Sequence, residues 1–104
     1  AYFGRGAGQA NTTGCANTYI GMEAGYYATG LDNTAVGKNA LQGASGNASG
    51  SYNTAVGKHA LLSNTTGYGN TATGFVALSG NTTGRGNTAS GYSALTSNTV
   101  ALVA

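Results

Sequence analysis

The chain has no proline and no tryptophan, one cysteine, one histidine and two carboxylates against four basic residues in 104 residues. Each shortage excludes something. With Glu23 and Asp32 as the only carboxylates and His59 as the only imidazole, a carboxylate pair, a catalytic triad and a zinc site all lack their parts. No enzyme activity, metal or cofactor is therefore expected. A net charge of +2 supplies no basic stripe for nucleic acid. No apolar run approaches the roughly 20 residues that cross a bilayer, so no membrane insertion by this segment is expected. Cys15 has no second cysteine to pair with; it is either a small buried residue, the preferred reading, or an intermolecular link. A signal peptide and an initiating methionine are also missing, as expected for a processed chain or an excised piece.

What is present is small and polar: 19 glycines, with Asn, Thr, Ala and Ser supplying most of the rest. Large aliphatic residues are scarce enough to raise the question of disorder. Disordered chains usually carry high net charge or proline, and this one carries neither. A thin fold with an interior of small side chains fits better, stabilised by backbone hydrogen bonds repeated coil after coil.

The repetition is visible by eye. Asn53–Gly69 is followed in register by Asn70–Gly86, and a third copy opens at Asn87. The period is 17 residues, written N-T-A-x-G-x-x-A-L-x-x-N-T-T-G-x-x. Working backwards, a copy opening at Asn33 is three residues longer, around Ala44–Gly46, and one opening at Asn17 is a residue shorter, near Thr29. The first copy enters at its second position. Residues 1–104 thus read as one repeat domain of six coils starting near 1, 17, 33, 53, 70 and 87.

Seventeen residues are too few for a helical hairpin repeat, and glycine at positions 5 and 15 would each cost a helix about 1 kcal/mol relative to alanine. The expected fold is all-β, a parallel β-solenoid or β-roll with two short strands per coil. One strand is expected at Thr-Ala-x (Thr34–Val36, Thr54–Val56, Thr71–Thr73) and the other around Ala-Leu (Ala40-Leu41, Ala60-Leu61, Ala77-Leu78, Ala94-Leu95). Third-position alanines and ninth-position leucines are the candidate interior. The glycines at 4, 21, 37, 57, 74 and 91, and those at 14, 30, 50, 67 and 84, are expected at corners with positive φ.

Stacked coils place like residues in columns about 4.8 Å apart. Asn17, Asn33, Asn53, Asn70 and Asn87 make one column, and Asn47, Asn64, Asn81 and Asn98 a second. Side-chain amides passed from coil to coil would form structural ladders. The threonines at 18, 34, 54, 71 and 88 stack likewise. At the two ends, Tyr2 and Phe3 and then Val100, Leu102 and Val103 replace the polar caps usual in solenoids, and end-to-end association through them is expected.

The Asn-Thr-Ala-Val-Gly-x-x-Ala-Leu phrase at Asn33 and Asn53, with its Asn-Thr-Thr-Gly sequel, resembles the head repeats of trimeric autotransporter adhesins. It is similar too to the related repeats of bacterial surface proteins and phage tail fibres. The signature recurs at Thr34–Gly37 and Thr54–Gly57 and, weaker, at Thr71–Gly74 and Thr88–Gly91. The resemblance implies a left-handed β-roll, a homotrimer packed side by side, and an adhesive role outside the cell, at the cell surface or on a virion. The chain departs from the adhesin heads in its longer coils and in lacking a coiled-coil stalk, an anchor and a chaperone domain.

Variation along the columns points to the face that is free to bind. Position 6 reads Arg5, Met22, Lys38, Lys58, Phe75, Tyr92, mixing size and charge as only an exposed site tolerates. Lysines followed by aromatics could grip a glycan or protein ligand, or could be an ordinary solvated face. Tyr26 and Tyr27 form a second aromatic cluster, read as space-filling or neighbour-contacting. Gly-x-Gly at 4–6, 67–69 and 84–86 lacks the strand–helix setting of a phosphate loop. Sequons at Asn11, Asn47, Asn64 and Asn81 follow from the turn itself. Three functions emerge: a non-catalytic adhesive segment of a surface fibre or adhesin head, a head-to-tail filament subunit, and, remotely, an ice-binding solenoid. The adjacent threonines Thr12-Thr13, Thr65-Thr66 and Thr82-Thr83 point to different faces and weigh against the last.

Overall fold

The computed structural model describes residues 2–11, 15–43 and 48–96. Six strands form one all-parallel sheet in chain order: β1 (Tyr2–Phe3), β2 (Thr18–Ile20), β3 (Thr34–Val36), β4 (Thr54–Val56), β5 (Thr71–Thr73) and β6 (Thr88–Ser90). Each pairs with the next in strict register, Thr34 opposite Thr54 and Thr54 opposite Thr71, so the chain winds as a β-solenoid. The lengthened third coil and the shortened second leave this register intact, because their length changes fall in the turns.

Among the described residues only one strand per coil is present. The second strand expected at Ala-Leu is replaced by a run of turns in which alternate residues are left-handed: Asn39 and Leu41, His59 and Leu61, Val76 and Leu78, Ser93 and Leu95, all with φ of 51–63°. A strand would send adjacent Ala and Leu side chains to opposite faces. Here both point inward, and Ala40, Leu41, Ala60, Leu61, Ala77 and Leu78 are all buried. Within this stretch the N–H groups take turns. Those of Ala40, Ala60 and Ala77 bond back three residues to Gly37, Gly57 and Gly74 at 3.1–3.3 Å, whereas Leu41 and Leu61 donate to Ala60 and Ala77 in the next coil at 2.8 and 3.0 Å. The backbone groups are thus satisfied without a second sheet.

The interior is lined by Ala35, Ala55, Ala72 and Ala89 at position 3, by the alanines of position 8, and by Leu41, Leu61 and Leu78 at position 9. The second coil reverses the pattern. It has Tyr19 where the later coils have alanine and Gly25 where they have leucine, and a Cβ at Gly25 would lie 2.7 Å from the Tyr19 ring. The first coil makes the same exchange with Tyr2 and Gly8, and the Tyr2 and Tyr19 rings stack with centroids 5.1 Å apart. Volume removed at position 9 is returned at position 3, which keeps the core filled. Burial pushes the Tyr19 hydroxyl up to about 12, offset in smaller part by the Asn33 side chain.

The two glycine sets do different work. Gly37 and Gly57 have φ of +130°, and a Cβ on either would come within 2.7 Å of the backbone of the next corner glycine. Gly30, Gly50, Gly67 and Gly84, expected in the same left-handed region, are not in it; the first three are glycine for room. A Cβ there would lie 2.0–2.4 Å from the carbonyl oxygen of Gly50 or Gly67, or from Asn64 Oδ1. Gly14 lies outside the described residues.

Candidate functional site

Two faces of the solenoid carry variable side chains, and a buried ladder holds them at fixed spacing. The ladder starts with the first asparagine column. The backbone N–H groups of Asn33, Asn53, Asn70 and Asn87 donate to Oδ1 of Asn17, Asn33, Asn53 and Asn70, at 2.8–3.0 Å. The side-chain Nδ2 groups of Asn17, Asn33, Asn53 and Asn70 donate instead to the carbonyls of Gly30, Gly50, Gly67 and Gly84 at 2.8–2.9 Å. Each amide therefore ties the strand entrance of the next coil to the position-15 glycine of its own coil. Amide-to-amide bonding, the pattern the sequence led us to expect, is a minor part: Asn70 Nδ2 reaches Asn53 Oδ1 at 3.2 Å. In the second column it does occur, Asn81 Nδ2 donating to Asn64 Oδ1 at 3.1 Å. Asn47 and Asn98 lie outside the described residues.

The sixth-position column is exposed along its length, from Arg5 through Met22, Lys38 and Lys58 to Phe75 and Tyr92. Its upper half is contiguous. The Lys58 ammonium sits 5.8 Å from the centre of the Phe75 ring, and the Phe75 and Tyr92 rings tilt at 43° with centroids 5.2 Å apart. The left-handed residue that follows, at position 7, faces the same flank. There half-buried Glu23 accepts from Asn39 Nδ2 at 2.9 Å and from Gln42 Nε2 at 3.4 Å. It is a fixed acceptor rather than a loose solubilising charge. The His59 imidazole is held below its ordinary range by partial burial, then by Lys58 and Lys38.

A second exposed column escaped the sequence reading. Arg85 Nη1 donates to the Tyr68 hydroxyl at 3.2 Å, and its guanidinium lies 5.8 Å from the centre of that ring. One coil earlier the column holds Ser51, and exposed Tyr52 stands at the next position, in register with Gly69. Tyr68 and Arg85 are the middle residues of the Gly-x-Gly triplets at 67–69 and 84–86, so a signal existed: a variable residue framed by glycines that turn the chain.

Tyr26 and Tyr27 meet edge to face at 4.6 Å and are half-buried. Cys15, preferred as a buried residue, is exposed: it stands at position 16, the column that carries Tyr68 and Arg85 in later coils. Tyr2 and Phe3 are exposed on β1, while Val100, Leu102 and Val103 lie outside the described residues. Among the described residues no group of three metal-ligating side chains comes together, and no helix is long and apolar enough to cross a membrane. No protein-family model matches the chain, and no curated protein or solved structure matches it.

Proposed function

We propose that the chain is a non-catalytic structural and adhesive segment of an extracellular fibre or adhesin head, a rigid stack of coils that presents its sixth-position column for attachment. The observation that carries this is the division of labour between columns. Asparagine, glycine and small apolar positions are consumed by the ladder, the corners and the core, and repeat from coil to coil. The sixth position is bound by none of these and changes from coil to coil, as a recognition surface on a constant scaffold should. Its Lys58, Phe75 and Tyr92 offer a cation and two ring faces in contact, a chemistry suited to a glycan or a protein at a host surface. Replacing Lys38, Lys58, Phe75 and Tyr92 together with serine is expected to leave circular dichroism and melting unchanged and to lower binding to fixed cells and to a glycan array. Unchanged binding removes the column from consideration.

A second reading is assembly into a head-to-tail filament, supported by the strict strand register, which the coil of another chain could continue. A homotrimer packed side by side gives compact particles of fixed stoichiometry in light scattering. Long uniform fibres in electron micrographs would select the filament instead.

A further inference from the structure

The middle residue of each strand points into the core, so the two that flank it point out together. On β2 to β6 these outward pairs are Thr18 and Ile20, Thr34 and Val36, Thr54 and Val56, Thr71 and Thr73, and Thr88 and Ser90. None is charged, and every one is half-buried or exposed. The strict register of the strands arranges them as two parallel columns, with rungs about 4.8 Å apart and columns roughly 6.6 Å apart. Their hydroxyls differ from the other threonines. Thr29 and Thr65 donate to carbonyls of the next coil at 3.4 and 3.1 Å. The hydroxyls of Thr18, Thr34, Thr54, Thr71 and Thr88 have no protein partner among the described residues, so water must satisfy them.

We propose that this sheet face binds ice. A rectangular array of hydroxyl and methyl groups at these spacings is close to the oxygen repeats on a prism surface of hexagonal ice. The methyl groups of threonine and valine restrict the first water layer, and the free hydroxyls anchor it at regular points. The objection that adjacent threonines diverge holds for the Asn-Thr-Thr-Gly turns, where Thr65 is half-buried and bonded and Thr66 is exposed. The lattice arises in the strand instead, where Thr71 and Thr73 share a face. A second copy of the chain is a poorer occupant. Going up the stack the outer residue passes from Phe3 on β1 through Ile and Val to Thr and Ser, so the large exposed apolar groups of this face are Phe3, Ile20 and Val56, with none on β5 and β6. That is too little for the apolar centre of a stable interface. The inference is independent of the adhesive reading, because it uses none of the sixth-position column.

The test is ice growth in a nanolitre osmometer with the full chain. Faceted crystals and a thermal hysteresis that rises with protein concentration are expected. Thr54→Tyr with Thr71→Tyr should abolish most of that hysteresis while circular dichroism stays unchanged. Should that pair fold poorly, Thr73→Lys, at an exposed site, is expected to give the same loss. The serine variant of Lys38, Lys58, Phe75 and Tyr92 should keep full ice activity, so that failure of the adhesive reading and failure of this one are separate results. Round crystals without hysteresis overturn the proposal, as does hysteresis that survives the Thr54 and Thr71 changes. Concentration-dependent dimerisation lost in the same variants also overturns it and assigns the face to a second copy.

Discussion

At the scale of single residues, the pair Tyr19 and Gly25 shows how tightly this thin core is specified. Gly25 has φ of +59°, close to that of the leucines at the same position in later coils, so its backbone would accept a side chain; the Tyr19 ring occupies the space. Gly25→Leu alone should destabilise by about 1–3 kcal/mol through overpacking, and Tyr19→Ala alone by about 3–5 kcal/mol through the cavity it leaves. The double variant recreates the Ala/Leu pair of the third coil and should cost far less than the sum, which guanidinium titration of all three proteins will measure. Tyr19 also makes a pH prediction. Its hydroxyl is raised from about 10 to about 12 by burial, so the neutral ring's contribution is fully present below pH 10 and is lost as pH rises through 12. The size of that loss is roughly 2–3 kcal/mol. Tyr19→Phe should remove this alkaline fall in melting temperature.

The element that matters most is the rung: one strand, one glycine corner, one run of turns. Gly57→Ala and Gly86→Ala test the corner against an ordinary turn. Both sites have positive φ, but a Cβ at Gly57 would lie 2.5 Å from the Gly74 carbonyl, whereas at Gly86 it would meet nothing within 4 Å. The Gly86 change should cost about 1–2 kcal/mol, the strain of a left-handed alanine alone. The Gly57 change should cost well more, because the carbonyl it strikes belongs to the neighbouring rung; thermal melts of the two variants make the comparison. The strand was legible in the sequence, since Thr-Ala-x alternates and ends at a glycine. The Ala-Leu segment was not. Two adjacent apolar residues fit a strand pattern poorly, but only the left-handed backbone of Leu41, Leu61 and Leu78 turns both inward, and no propensity favours leucine there. The asparagine columns were legible as columns. Their bonding was not, because identity of residues along a stack does not say whether an amide reaches its copy or the backbone beside it. Of the candidate site, the exposure of the sixth position could be read from its mixed chemistry, while the Tyr68–Arg85 contact needed the glycines on either side to be recognised as a turn.

For the molecule as a whole, stability is a chain of nearest-neighbour couplings. Asn53 is the central link: it accepts from the Asn70 N–H at 3.0 Å and donates to the Gly67 carbonyl at 2.9 Å, all buried. Asn53→Ala orphans both groups and should cost about 3 kcal/mol or more. Because the lesion lies between halves, it should also broaden the denaturant transition or split it in two, unlike a lesion of equal cost at the edge of the stack. The exchange between positions 3 and 9 carries one more consequence. Near-identical repeats invite unequal recombination in the gene, and most of the period tolerates a crossover, since every coil ends in the same bonds. A crossover between a Tyr/Gly coil and an Ala/Leu coil that falls between positions 3 and 9 is not tolerated. It would join a tyrosine to a leucine, or an alanine to a glycine, and produce a coil too full or too hollow to stack. The lineage can therefore exchange coils of the two kinds freely only where the break leaves that pair together, which makes the seven residues from position 3 to position 9 the unit of inheritance.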